Sequence, residues 1–241
     1  VMGLRQSGKS TLFRELLEIP SQVTLDDEDV FSDLETSAKN FLARLPTPLV
    51  IDEAQKSPKL FEAIKLRVDR ERRPGTYYLT SSSQFSAKLG IRESLTGRIG
   101  LLRLYPFLLS EARQDSFDSS RVSPFHGKKP RFSVEKAFEH ASSGGLPVPL
   151  FIRSHEQRES YYRLWLETSV LRDVARIHGK RYDPDVCWSI LGRIGEALKN
   201  GELPDLSFFR QDSRKSRTYL DALEGVFILR KIPCHEAGVG R

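Results

Sequence analysis

Residues 3–10 read Gly-Leu-Arg-Gln-Ser-Gly-Lys-Ser, a complete G-x-x-x-x-G-K-[ST] phosphate-binding motif. Glycine at both fixed positions lets successive main-chain N–H groups approach an anion closely, because no side chain blocks them. Lys9 adds a positive charge for the β- and γ-phosphates of a nucleotide, and the Ser10 hydroxyl is a ligand for Mg²⁺. The stretch therefore predicts a nucleotide-binding loop of nine consecutive residues: Gly3, Leu4, Arg5, Gln6, Ser7, Gly8, Lys9, Ser10 and Thr11.

An apolar run with helical spacing follows the motif, at Leu12, Phe13, Leu16 and Leu17. We expect a helix here, whose N-terminal dipole favours bound phosphates. Such a loop normally follows a buried strand, and so little sequence precedes this one that we expect the chain to begin inside its first strand. Arg5 occupies a variable position of the motif and is expected to face solvent.

Strands alternate with helices through the first half of the chain. The continuous apolar run at 48–51 indicates a strand buried on both faces. Further strands are predicted at 22–25, 77–79 and 99–104, and helices at 31–45 and 60–68. This alternation predicts a parallel sheet with crossover helices, in which ligands bind at the carboxyl ends of the strands.

Two acidic residues, Asp52 and Glu53, come directly after the apolar run. We expect Asp52 to hold Mg²⁺ through a water, and Glu53 to polarise the water that attacks the γ-phosphate. An acidic pair after an apolar strand is, by itself, more often a strand that ends in solvent. The phosphate-binding motif upstream favours the functional interpretation.

Polar residues also end the next predicted strand, beginning with Thr80 and Ser81. We expect a hydroxyl here to bond the attacking water or the γ-phosphate, and Thr80 is the candidate catalytic residue. A Ser-rich turn without this role is the alternative. Arg98 follows a glycine and is interpreted either as an arginine finger supplied to a neighbouring subunit or as a solvated surface arginine.

The second half of the chain is predicted to be mostly helical, with long helices at 158–177 and 186–198. Residues 205–233 read as helix, tight turn, helix and strand, with the strand at 226–229, which is the order of a winged helix-turn-helix. The second helix of this unit starts with three basic residues that are candidates for DNA contacts: Arg214, Lys215 and Arg217. A small packing module with a solvated basic face is the alternative.

Composition limits the classes of protein. The net charge of +6 over 241 residues is mild, so it permits nucleic-acid binding without arguing for it. The two cysteines, Cys187 and Cys234, have neither metal-binding spacing nor a disulfide framework, as in a reducing compartment. The sequence shows no signal peptide and no transmembrane run. We therefore expect a cytoplasmic location and no membrane partner.

Several motifs in a fixed order resemble one family over nearly the whole chain. They are GLRQSGKST, LVIDEAQ, YYLTSSSQF, ESLTGRIGLLRLYPFLLSE, GGLP, LRDVA and SRTYLDALEGVFILRKIP. The family is that of prokaryotic AAA-type ATPases with a C-terminal domain of unknown function. The resemblance implies an AAA-like nucleotide domain that uses ATP, a winged-helix region, and further C-terminal sequence similar to a nuclease fold. Family members typically have glycine where Ser81 stands, which leaves open whether Thr80, Ser81 or Ser82 is the sensor.

The sequence thus predicts an α/β P-loop NTPase, with an AAA-like parallel sheet and flanking helices, over 1–110. An exposed connection over 111–145 and a mostly helical winged helix-turn-helix part over 146–241 are predicted to follow. The expected function is a Mg²⁺-dependent ATPase, with ATP and Mg²⁺ as cofactors, whose nucleotide state controls the C-terminal part. Two alternatives are a DNA-binding module with nucleotide as a structural ligand, and an ATP-gated scaffold for a protein partner or a homo-oligomer. The candidate catalytic residues are Lys9, Glu53, Thr80 and Arg98.

Overall fold

The computed structural model describes residues 1–84, 97–113, 132–202, 204 and 213–232. The strands in these ranges are β1 (Met2–Gly3), β2 (Ser21–Thr24), β3 (Leu49–Asp52), β4 (Tyr77–Leu79) and β5 (Arg103–Leu104). The helices are α1 (Lys9–Thr11), α2 (Glu28–Thr36), α3 (Ala38–Arg44), α4 (Pro58–Glu71), α5 (Leu109–Ala112), α6 (Val134–Ser143), α7 (Pro147–Leu150), α8 (His155–Thr168), α9 (Ala175–His178), α10 (Pro184–Lys199) and α11 (Ser213–Gly225). A π-helical segment, Leu12–Leu16, continues α1, a short 3-10 helix, Ala54–Lys56, precedes α4, and a second π-helical segment, Ser169–Val174, joins α8 to α9.

All the strand pairs in the described residues are parallel. β3 lies between β2 and β4, and β1 pairs with β5. A bridge between Met2 and Ser81 joins the two groups in the order β2-β3-β4-β1-β5. Because the strands run in the same direction, the residues that follow them meet at one edge of the sheet. The parallel sheet with flanking helices is the α/β fold that the sequence predicts.

β3 is buried on both faces, as its apolar sequence predicts. Leu49 and Ile51 pack in the larger core with α2, α3 and α4. Val50 packs on the opposite face with Phe13 and Ile19. Successive side chains of a strand point to opposite faces, so a strand covered on both sides needs an uninterrupted run of apolar residues.

One helix predicted over 31–45 is in fact two helices. α2 ends at Thr36 and α3 begins at Ala38, because Ser37 between them has an extended backbone with φ −159°. The Ser37 hydroxyl accepts a hydrogen bond from the N–H of Asn40, which caps the second helix. A serine side chain that bonds the backbone locally can end a helix without interrupting its apolar spacing.

The helical part has a core of its own. Val170 and Val174 of the second π-helical segment pack there with Cys187 of α10 and with Tyr219 and Leu223 of α11. The long helices predicted at 158–177 and 186–198 are confirmed, with the first one interrupted by the π-helical segment. Across the ranges that the structure describes, no helix is both long enough and apolar enough to span a bilayer.

The predicted exposed connection, 111–145, contains a helix in its described part. α6 begins after Ser133, whose hydroxyl accepts a hydrogen bond from the N–H of Lys136, and it ends before Gly144. No residue of α6 is buried, which explains why its sequence is polar although it is regularly structured. Residues 114–131 of this connection lie outside the described residues.

The strand predicted at 226–229 is not formed, so the prediction of a wing at this position is wrong. The N–H groups of these four residues all donate to carbonyls of α11 instead of to a neighbouring strand. Phe227 has φ 64°, in the left-handed region that commonly ends helices. The apolar run is therefore a helix-terminating turn. The first helix of the predicted winged unit falls mainly at 205–212, outside the described residues.

Candidate nucleotide site

The phosphate-binding motif forms the turn between β1 and α1 at the carboxyl edge of the sheet. Gly8, which precedes α1, has φ 93°, a left-handed conformation that glycine adopts without the steric cost of a side chain. Gly3 is restricted for a different reason, since a Cβ atom there would lie 2.3 Å from the carbonyl oxygen of Leu104 in β5. Gly8 therefore shapes the turn, whereas Gly3 allows β1 to pair closely with β5.

The Lys9 side chain is almost fully enclosed by the loop, and the residue is 6% exposed. Its Nζ atom donates hydrogen bonds to the carbonyl oxygens of Gly3 and Leu4, at 3.0 and 2.9 Å. Burial lowers the pKa of Lys9, and the carboxylates of Glu53 and Asp52 oppose this shift by favouring the charged form. The loop thus holds a positive charge where the phosphates of a bound nucleotide would need one.

Asp52, the last residue of β3, accepts hydrogen bonds from two hydroxyl groups. Ser10 Oγ donates to Oδ2 at 2.8 Å, and Thr80 Oγ1 donates to Oδ1. The structure therefore brings together the end of the phosphate-binding motif and the ends of β3 and β4. This is the convergence expected at the carboxyl edge of a parallel sheet.

Ser10 and Asp52 fit the ligand requirements of Mg²⁺, which prefers hard oxygen atoms. Their two oxygens lie 2.8 Å apart, so an ion ligated by Ser10 would lie within reach of Asp52 through a coordinated water. In the described part of the chain, no three or more His, Cys, Asp or Glu side chains are grouped so that they could hold a metal. An ion at this position would therefore take its remaining ligands from phosphate oxygens and water, as Mg²⁺ commonly does.

Glu53 follows β3 in a left-handed backbone conformation, with φ 55°, that turns the chain into the 3-10 helix. Its carboxylate accepts hydrogen bonds from the side-chain amide of Gln55 and, at 2.9 Å, from the hydroxyl of Ser82. Gln55 and Ser82 are both 5% exposed. Two buried donors thus fix the orientation of the carboxylate, which is what a group that positions a water molecule needs.

The hydroxyl groups after β4 differ in what they contact. Those of Thr80 and Ser82 bond the two carboxylates described above. The Ser81 hydroxyl instead donates to the carbonyl oxygen of Ser83 at 2.6 Å and accepts from the N–H of the same residue at 3.1 Å. All three are buried, so burial does not separate them. Their contacts favour Thr80 and Ser82 over Ser81 as the residues that act at the site.

Arg98 lies at the opposite edge of the sheet. Its Nε atom is 2.5 Å from Oδ1 of Asp69, near the end of α4. Because α4 runs from the carboxyl edge of β3 back towards the start of β4, Asp69 is near the amino edge of the strands. A cavity of about 730 Å³ there is lined by Asp69, Arg98 and Tyr77 among others, and by no residue of the phosphate-binding motif. The arginine-finger hypothesis concerns a second copy of the chain and stays a prediction.

Among the described residues, three polar contacts join the phosphate-binding motif to the helical part. Arg5 Nε lies 2.9 Å from Oδ2 of Asp173. The Trp165 indole N–H donates to the carbonyl oxygen of Arg5 at 3.3 Å, and the Tyr161 hydroxyl donates to the side-chain oxygen of Gln6. The expectation that Arg5 faces solvent is wrong, since only 23% of its side chain is exposed. Residues distant in sequence cover it.

A second attachment to the helical part follows β4. The backbone N–H of Gln84 donates to the carbonyl oxygen of Gly225 at 2.8 Å. The side-chain amide of Gln84 donates to the backbone carbonyl oxygen of Glu224 at 3.2 Å. The segment that carries Thr80 and Ser82 is therefore tied to the end of α11. Two of the three polar segments that form the site contact the helical part.

The candidate DNA-contacting residues lie in the first turns of α11. Lys215 and Arg217 are exposed there, and the side chain of Arg214 lies outside the described residues. The buried residues of the same helix, among them Tyr219 and Leu223, face the helical core. The exposed basic residues suit either DNA binding or a solvated face, so the DNA hypothesis stays a prediction.

Sequence reasoning missed Gln55 and Asp173. Gln55 lies two residues after Glu53, in the LVIDEAQ string, so its proximity to that carboxylate could have been inferred from the chain. Asp173 lies 168 residues from Arg5, on a helix with an ordinary amphipathic sequence. No local pattern indicates that such a residue reaches a loop in the other half of the chain.

Comparison with known proteins supports the same class of site. Residues 1–113 match the family model described as an AAA domain. Two uncharacterized proteins, Mb2031c of Mycobacterium bovis and Rv2008c of Mycobacterium tuberculosis, are each 26% identical to the chain over 245 residues. These alignments cover 99% of this chain and 50% of each relative, so the chain spans about half the length of the curated relatives it matches. Through its first 113 residues, the chain is similar to the nucleotide-binding domain of AAA-type ATPases.

Proposed function

We propose that this chain binds ATP with Mg²⁺ and hydrolyses the nucleotide to ADP and phosphate. The observation that carries the proposal is the 2.8 Å contact between Ser10 and Asp52. It joins the phosphate-binding motif to the acidic end of β3, where a metal nucleotide would lie. ATP is preferred over GTP because of the similarity to AAA domains and because the sequence contains no Asn-Lys-x-Asp string, the usual reader of guanine.

The loop would hold the phosphates through its main-chain N–H groups and the Lys9 ammonium group. On nucleotide binding, this ammonium group exchanges the carbonyl oxygens of Gly3 and Leu4 for phosphate oxygens. Ser10 and Asp52 would hold Mg²⁺, which neutralises charge on the phosphate oxygens when bound. The positive charge of Lys9 is already present in the loop before phosphate binds.

Glu53 would accept a hydrogen bond from the water that attacks the γ-phosphorus, in line with the bond that breaks. Gln55 and Ser82 position its carboxylate, and Thr80 positions that of Asp52. The new bond joins the water oxygen to phosphorus, one proton of the water passes to the Glu53 carboxylate, and the bond between phosphorus and the β–γ bridging oxygen breaks. ADP leaves with that oxygen.

The nucleotide state would alter how the helical part packs against the α/β part. The contacts made by Arg5, Gln6 and Gln84 support this, because they connect two segments of the site to the helical part. A DNA-binding module that hydrolyses little, and an ATP-gated scaffold that binds protein or itself, are the competing proposals.

Two variants test the proposal, with Mg·ATP as ligand and with phosphate release and calorimetry as readouts. Lys9→Ala should weaken nucleotide binding by about 10- to 150-fold, because it removes hydrogen bonds from a charged donor. Glu53→Gln should retain binding but slow phosphate release by about 10²- to 10⁴-fold, because it removes the group that orients the water.

Lys39→Ala, which removes an exposed lysine of α3, is the matched control for loss of a positive charge. It should behave as the wild type. Absence of binding heat with Mg·ATP in the wild type would refute the proposal. Tight binding with unchanged turnover in Glu53→Gln would remove Glu53 from the mechanism. Binding of Mg·ATP and of duplex DNA with little phosphate release, whether or not DNA is present, would favour the DNA-binding alternative.

A further inference from the structure

The contact between the phosphate-binding motif and the helical part is charged and shielded from water. The Asp173 side chain is 9% exposed and that of Arg5 23% exposed, with the paired atoms 2.9 Å apart. Asp173 also accepts a hydrogen bond from the neighbouring Arg172 at 3.2 Å. Ion pairs screened from solvent interact more strongly than those at the surface, so opening this pair requires a compensating interaction.

Asp173 is an electrostatic neighbour of the place where phosphates would bind. Its negative charge acts on Lys9, whose ammonium group it favours in the charged form, while the positive charge of Arg5 has the opposite effect. Phosphates in the loop would therefore be repelled by Asp173 and attracted by Arg5. These two effects both act to separate the pair when a nucleotide is bound.

The backbone around Asp173 departs from regular α-helical geometry. The residue lies in the π-helical segment Ser169–Val174, inside an otherwise α-helical stretch. Such segments are rare and frequently lie at functional sites, and their hydrogen bonds join residues five apart instead of four. Conversion to an α-helix would rotate Asp173 by about 100° relative to α8, the angle between successive residues of a helix, and would withdraw it from Arg5.

We propose that Asp173 and the phosphates of the nucleotide compete for Arg5, so that nucleotide binding releases the helical part from the phosphate-binding loop. This inference rests on the proposed nucleotide-binding function. Asp173 acts as a positioning residue that holds Arg5 away from the phosphates in the nucleotide-free chain. The hydrogen bonds of Trp165 and Tyr161 to the same loop are lost together with the ion pair, because they require α8 to lie against the loop in the same position.

A double-mutant cycle measures the competition directly. The variants are Arg5→Gln, Asp173→Asn and the two combined, each studied with and without a non-hydrolysable ATP analogue and Mg²⁺. Without nucleotide, each single variant should lower the midpoint of thermal unfolding, and the double variant should be no less stable than either. With the analogue bound, this coupling should disappear. The double variant replaces both charges by amides, so it keeps the cycle informative if Asp173→Asn alone folds poorly.

Nucleotide affinity provides the reciprocal readout. Asp173→Asn should bind the Mg-bound analogue more tightly, by roughly 5- to 150-fold, because linkage requires that breaking the pair and binding nucleotide favour each other equally. If Asp173 had only a structural role, Asp173→Asn would bind the analogue more weakly than the wild type or would not bind it at all. Asp185→Asn removes an exposed carboxylate from α10 and should leave the affinity unchanged.

The chain contains an intrinsic reporter of release. It has two tryptophans, and Trp188→Phe leaves Trp165, whose indole N–H bonds the loop, as the sole tryptophan, which can be excited at wavelengths that tyrosine does not absorb. Its emission should shift when the analogue is added, and Asp173→Asn should already show the shifted spectrum without nucleotide. If the wild type binds no nucleotide, both this inference and the proposed function fail. Only this inference fails if the wild type binds nucleotide but three results are negative: the analogue leaves the coupling between Arg5 and Asp173 unchanged, and Asp173→Asn alters neither the nucleotide affinity nor the Trp165 emission.

Discussion

Replacing Ser82 with alanine tests whether the oriented Glu53 carboxylate drives hydrolysis. The Ser82 hydroxyl lies 2.9 Å from Glu53 Oε2, and the residue is 5% exposed, so water does not readily take its place. Gln55 remains as a second donor to the same carboxylate. We expect a lower turnover number with nearly unchanged nucleotide affinity, because in the proposed site Glu53 contacts the attacking water and not the phosphates.

The size of the effect follows from the hydrogen bond that is removed. A bond to a charged group contributes about 1.5–3 kcal/mol. If all of this were lost from the transition state, turnover would fall by about 10- to 150-fold, since about 1.36 kcal/mol corresponds to a factor of ten. Because Gln55 still holds the Glu53 carboxylate, we expect the lower end of that range, a decrease of about tenfold in Ser82→Ala.

Ser81→Ala is the matched control, since it removes a buried hydroxyl one residue away whose hydrogen bonds, within the described ranges, go to the backbone of Ser83. Its turnover should stay within about twofold of the wild type, and its free energy of unfolding should fall by about 1 kcal/mol. Thr80→Val should instead raise the Mg²⁺ concentration needed for half-maximal phosphate release, because it alters Asp52. Equal turnover defects in Ser81→Ala and Ser82→Ala would refute the reasoning, as would an unchanged turnover in Ser82→Ala.

Two further predictions concern the helical part. Gly192→Ala should raise the free energy of unfolding by about 0.8–1 kcal/mol in a urea titration, because Gly192 lies inside α10 with open space where a Cβ would be; a decrease would contradict this. The His178 ring contacts the ring of Tyr219, with centroids 4.1 Å apart and ring planes tilted by 36°. Burial lowers the pKa of His178, so the unfolded chain takes up a proton more readily than the folded chain. The free energy of unfolding should therefore fall as the pH drops below about 6.5, the ordinary pKa of histidine. Urea titrations at several pH values should show this loss in the wild type and in His155→Asn, which replaces an exposed histidine as a control. His178→Phe should not show it.

The features that could be predicted from sequence are encoded by neighbouring residues. The motif at 3–10 specifies its own turn, and the apolar run before Asp52 specifies a strand covered on both faces. Once a parallel sheet is inferred, its geometry brings Ser10, Asp52 and Thr80 to the same edge, since all follow strands that run in one direction. Local sequence and one topological rule thus account for the arrangement of these residues.

The features that could not be predicted depend on contacts between distant residues or on ambiguous patterns. The pairing of Arg5 with Asp173 is decided by how the two halves of the chain pack, so the motif alone suggested an exposed arginine. A short apolar run such as 226–229 suits a buried strand or a helix-terminating turn equally well. The outcome there depends on the carbonyl groups at the end of α11 that accept its N–H bonds.

Arg5 and Gln6 occupy two of the interchangeable positions of the phosphate-binding motif, where mutations are ordinarily tolerated. Here both side chains also contact the helices, at Asp173 and Tyr161. Residues outside the motif therefore limit which substitutions are tolerated at these two positions. The two halves of the gene should accumulate compensating changes together. A chimera that combined the α/β half of one homologue with the helices of another would inherit mismatched partners at this boundary, even if each half kept its own core intact.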